Sequence, residues 1–124
     1  MRRILLTGLF AFTMSGCVST SPSRPVDTAA LAAEKDAAMR AQVKCGVANV
    51  AQADDGLSDA ATVAFALAIR CGTEYNMTTE AVGNTLDNDA QRRMFRDRRA
   101  SRDRRIEDFL PIVMQYRQST KAAK

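Results

Sequence analysis

The sequence predicts an all-α fold: a small helical bundle built on an antiparallel helical hairpin, with a long arginine-rich C-terminal helix kinked near Pro111. Three features point to it. Residues 28–53 are rich in alanine and free of proline directly behind Asp27. A second alanine-rich run lies between Ser58 and Gly72, separated from the first by the turn-forming sequence Asp54-Asp55-Gly56. Further on, Phe95, Ile106, Phe109, Val113 and Tyr116 recur at helical spacing. With 124 residues in all, the chain has enough material for one modest core and no second domain.

The first helix is expected from Thr28 to about Ala53, with Asp27 as its N-cap. At about 100° per residue, Leu31, Ala38 and Cys45 share an edge with Ala41 and Ala48 beside it, while Met39, Val43, Val47 and Val50 form a second stripe. Two stripes require two neighbours, or one neighbour and a binding partner. The acidic run Asp54-Asp55-Gly56-Leu57-Ser58-Asp59 reads as a turn, with Ser58 capping the next helix and Asp59 favoured by its dipole. The carboxylates of this run lack the alternating ligand spacing of a calcium loop, which favours capping over metal binding.

The second helix is expected from Ser58 to Cys71, ending at Gly72 as a C-cap. Its centre, Val63 to Ile69, alternates large with small residues and can also be drawn as a buried strand; alanine content, caps and length favour helix. Phe65 and Ile69 are expected to face the C-terminal segment. A short helix is then predicted over Glu80 to Leu86, with Thr78 as cap and Met77 stapled to Val82. After a break at Asn84 to Asp89, a helix is predicted from Asp89 to about Gln118, with a kink or restart at Pro111. Residues 28–118 make up the helical domain, and 119–124 are expected to form a disordered tail.

Charge is strongly polarised along the chain. Residues 18–89 hold five basic and ten acidic side chains, and residues 90–124 hold eleven and four. Eight arginines, Arg92, Arg93, Arg96, Arg98, Arg99, Arg102, Arg104 and Arg105, crowd one stretch with only Asp97 and Asp103 among them. Arg98, Arg99 and Arg102 fall on the apolar stripe, so residues 96–105 are expected to be exposed between anchored ends. One reading is a solvated face neutralised by i,i+4 pairs, Arg93 with Asp97, Arg99 with Asp103 and Arg104 with Asp108. The other is an anion site, because guanidinium forks match phosphate and carboxylate.

At the N-terminus, Arg2 and Arg3 precede the apolar run Ile4 to Met14, about half the length needed to cross a bilayer. The residues that close it, Met14-Ser15-Gly16-Cys17, resemble the lipobox of bacterial lipoproteins. That resemblance implies a signal peptide over 1–16 and acylation of Cys17. With Val18 rather than Asp next, it implies a lipid anchor at the periplasmic face of an outer membrane. Residues 17–27, with Pro22 and Pro25, then form a flexible tether. Setting Cys17 aside leaves Cys45 and Cys71 as an even pair, which an oxidising periplasm would join, closing the hairpin covalently. The alternative is a redox or metal-binding thiol pair; the chain has no histidine and no C-x-x-C spacing.

The stretch from Cys45 to Cys71, with its Asp54-Asp55-Gly56 and Ser58-Asp59-Ala60, resembles small exported Gram-negative proteins of unknown role. The resemblance implies a disulfide-tied helical hairpin and no activity. With no nucleophile elbow, no phosphate-binding glycine loop and no role-separated carboxylate pair, a non-enzymatic role without cofactor or metal is expected. The leading expectation is an envelope accessory or assembly factor that docks on another envelope protein. The alternative is a module binding anionic phospholipid, lipopolysaccharide or cell wall through Arg92 to Arg105. Nucleic acid is not an expected partner, since aromatic interleaving is limited to Phe95.

Overall fold

A computed structural model describes residues 27–123; Cys17, the expected signal peptide and most of the expected tether lie outside them. The described residues form five helices and no strands: α1 (Thr28–Ala53), α2 (Ala60–Arg70), α3 (Gly72–Asn84), α4 (Asp89–Ala100) and α5 (Arg102–Ala122). No described helix is long and apolar enough to cross a membrane. The bundle is all-α, and Cys45 and Cys71 are joined by a disulfide that closes the α1–α2 hairpin.

Helix α1 has the expected bounds, because Asp27 Oδ1 accepts from the backbone N–H groups of Ala29 (3.0 Å) and Ala30 (3.1 Å). Gly56 makes the loop turn with φ +73°, a conformation that favours glycine. The cap of α2 is Asp59, which accepts from Ala61 and Thr62, and not Ser58 as expected. Ser58 is already taken: its N–H and hydroxyl both donate to Asp55.

Gly72 does not end the second helix. Cys71, fully buried and disulfide-bonded, is the single joint between α2 and α3, and Gly72 is the first residue of α3. The short helix expected at Glu80 to Leu86 is therefore longer and earlier. Thr78 is buried inside it and shares its hydroxyl proton between the carbonyls of Glu74 (2.9 Å) and Ala38 (3.0 Å). A capping residue is tolerated mid-helix once its hydroxyl bonds back one turn. Met77 is exposed instead of stapled.

The C-terminal segment breaks at Ser101, whose extended backbone leaves α4 and whose hydroxyl accepts from Arg104 N–H to start α5. Pro111 lies inside α5 on its exposed side. Residues 119–122 are helical, not a disordered tail. No proline or glycine interrupts them, and the hydroxyls of Ser119 and Thr120 bond back to Tyr116 and Arg117.

The core is formed by Val50, Val63, Ala64, Leu67, Ala68, Cys71, Tyr75, Phe109 and Val113. Each large apolar side chain buried this way stabilises the fold by about 1.5–3 kcal/mol. α2 packs chiefly on α5, and α1 chiefly on α3. Gly46 lets α5 approach α1: a Cβ there would lie 2.5 Å from Ile112 Cδ1 and 3.4 Å from Phe109. Phe65 does face the C-terminal segment, half-buried beneath the Arg102 guanidinium at 5.0 Å. Ile69 does not; it is 57% exposed, because Val63, Ala64, Leu67 and Ala68 make the buried face of α2.

Candidate functional site

The eight arginines do not form one surface. Arg99 is buried, contrary to the expected exposed segment, because it occupies the apolar stripe and finds partners there. It pairs with Asp108, donates from Nε to Thr79 Oγ1 (3.1 Å) and from Nη2 to Gln42 Oε1 (3.2 Å), and lies 4.0 Å above the Tyr75 ring. The Tyr75 hydroxyl donates to the Arg99 carbonyl at 2.8 Å. Burial pushes the Tyr75 phenol above its ordinary value, against the pull of Arg99. Asp108, not Asp103, is therefore the partner of Arg99.

The others are spread over different neighbours. Arg92 holds Asp89 and the Leu86 carbonyl, and Arg96 holds Glu80 on α3. Arg104 bridges Glu107 and Asp108, as expected for the latter. Arg102 covers Phe65, and Arg105 lies 5.2 Å from the Tyr75 ring centre with its Nε buried and unbonded. Arg93 and Arg98 alone of the eight are exposed with neither an ion pair nor a ring contact among the described residues, so the expected Arg93–Asp97 pair does not form.

Cys45 and Cys71 lie with Glu74 close enough for one ligand atom of each to fall within 4.8 Å of the others. Their sulfurs are bonded to each other and are not thiolates, so the arrangement is a clasp. A second clasp joins the α1–α2 loop to α5. Arg117 donates to both oxygens of Asp54 (2.7 and 2.8 Å) and to the Ser58 carbonyl (2.7 Å). The hydrogen bond from Arg117 holds the Asp54 carboxyl below its ordinary value and raises Arg117 in return. Beside it, the Ser58 and Leu57 N–H groups hold Asp55 down to about 2, and the Thr62 hydroxyl lowers Asp59.

An open apolar surface lies on α1. Of the second stripe, Val50 is buried in the core, whereas Met39, Val43 and Val47 are 48%, 52% and 59% exposed. They line a shallow, nearly all-apolar trough of about 620 Å³ edged by Arg40, Lys44 and Ala48. A second hollow of about 460 Å³ shares Met39 and Val43 and runs toward Lys35, Val82, Phe95 and Arg104. Lys35, Arg40 and Lys44 make no ion pair or side-chain hydrogen bond among the described residues. The stripe is legible in the sequence as a spacing. Its cationic border is not, because Arg40 and Lys44 sit one residue beyond Met39 and Val43 but only the packed structure leaves them unpaired.

No protein-family model, no curated protein and no solved structure matches this chain.

Proposed function

We propose that the chain is a non-enzymatic cell-envelope lipoprotein, held through an acylated Cys17 at the periplasmic face of the outer membrane, that acts as an accessory or assembly factor. Its docking surface is the α1 trough. The observation that carries this reading is the row Met39, Val43 and Val47, left about half exposed on a helix that buries Ala38, Gln42, Gly46 and Val50. Contiguous apolar surface rimmed by charge is the form a protein contact takes. The Cys45–Cys71 clasp supports an oxidising compartment.

An anion-binding module has exposed Arg93 and Arg98 in its favour and the engagement of the other six arginines against it. The test is a photo-crosslinking residue placed at Val43 or Val47 in cells. One stoichiometric adduct with another envelope protein is expected. No adduct from either position overturns the docking reading. Mass spectrometry of the mature protein tests the anchor, with an unmodified Cys17 thiol as the contrary result.

A further inference from the structure

Resting on that docking reading, we infer that the occupant of the α1 trough is an acidic amphipathic helix of the partner protein. The shape of the surface is the first reason. Met39, Val43 and Val47 follow the i, i+4, i+8 ridge of α1, which extends about 12 Å at 1.5 Å per residue, or about two turns of a facing helix. Ridges of this kind seat between the matching ridges of a second helix. The surface along this ridge is nearly all apolar, shallow and open, so a facing helix can lie along it.

Charge is the second reason. Arg40 and Lys44 run along the outer edge of the trough, and Lys35 stands where it meets the second hollow. All three are without an ion pair among the described residues. Of the two acids on α1, Glu34 lies in the hollow facing α3, and Asp36 is exposed one turn before Arg40. Asp108, across the second hollow, is engaged by Arg99 and Arg104. The free charge beside the apolar row, three cations against Asp36, is thus net positive, and carboxylates flanking a partner's apolar stripe would meet it at the rim, where they steer and orient the encounter. A second copy fits poorly. Antiparallel pairing about a two-fold axis through Val43 brings the Arg40/Lys44 edge of one chain against the same cations of the other.

The probe is a fluorescent alanine-based helical peptide with leucines at i, i+4 and i+8 and glutamates on both flanks, titrated by anisotropy against the full-length protein in detergent micelles. A composition-matched scramble and a lysine-for-glutamate version serve as comparisons. The patterned acidic peptide should bind at least about tenfold tighter than either and weaken as salt rises. Val43→Asp with Val47→Asp, both exposed positions whose folding is checked by circular dichroism, should remove binding. Arg40→Glu with Lys44→Glu should reverse the preference toward the lysine peptide. Equal affinities for all three peptides overturn the inference. So do stripe-dependent retention on phosphatidylglycerol vesicles, or stripe-dependent dimers in sedimentation, without a peptide preference. A Val43 crosslink to an envelope protein alongside failed peptide discrimination removes the acidic helix alone; absence of both removes the docking reading as well.

Discussion

Replacing Arg99 with methionine keeps most of the side-chain volume and removes the charge from the inside of the bundle. The Arg99 side chain is 8% exposed and that of Asp108 is 12% exposed. Removing one member of a buried pair typically costs about 3–5 kcal/mol, because the other charge is left unpaired. Here Asp108 keeps Arg104 at 3.0 Å, which places the expected loss at the lower end of that range. Gln42 Oε1, however, loses its donor, and an unsatisfied buried acceptor costs about 1–3 kcal/mol. Together these give an expected loss of about 4–6 kcal/mol for Arg99→Met. Arg93→Met and Arg98→Met, on exposed sites, should stay within about 0.5 kcal/mol. The assay is urea unfolding followed by far-ultraviolet circular dichroism, comparing midpoints at constant slope. Arg99→Lys should recover only part of the loss, since an ammonium cannot reproduce the fork or the stack over Tyr75. If Arg99→Met is as stable as Arg93→Met with an unchanged slope, the buried-charge account is wrong.

Replacing both Cys45 and Cys71 with alanine frees a 26-residue separation and should cost about 3.5 kcal/mol in the chain-entropy account, read from the same urea curves; a loss under about 1 kcal/mol would show that the clasp contributes little. The carboxyls of Asp54, Asp55 and Asp59 all titrate below the ordinary 3.8 in the folded chain, so their stabilisation is present above that pH and is lost as pH falls through their folded values, about 2 for Asp55. Thermal stability should accordingly hold from pH 7 to about 5 and decline between about 4 and 2, with Asp55→Asn removing part of the decline. Gly46→Val should destabilise by about 2 kcal/mol through collision with Ile112 and Phe109, despite the better helix propensity of valine. Combining it with Ile112→Ala should restore part of the loss in the same measurement.

Local chemistry is legible wherever it acts alone. Asp27 as a cap, the alanine run of α1 and the Asp55-Gly56 reversal each depend on residues within a few positions of one another, and the helix and turn appear where those residues place them. The covalent joining of Cys45 to Cys71 is also readable, from parity once Cys17 is set aside. The hidden features depend on distant partners. Gly72-Thr73-Glu74-Tyr75-Asn76 has weak helix propensity, and α3 forms there because Tyr75 is buried against Phe109 and Arg99. Arg99 sits on an apolar stripe, which from sequence alone argues for exposure. The break at Ser101 and the reach of Asp108 from α5 turn the same position inward. On α1 the apolar spacing is visible, but only the packed structure separates Val50, which is covered, from Met39, Val43 and Val47, which are not.

The pairing of α2 with α5 has a consequence for biogenesis. In any chain delivered N-terminus first, Val63 and Leu67 emerge well before Phe109 and Val113, the residues that cover them. Until then the hairpin presents a greasy flank with nothing to bury it, and such intermediates aggregate readily. A ribosome that stops before Phe109 would release a product that is helical but sticky, a natural substrate for chaperones or proteases. Completion of the core therefore waits on the last helix.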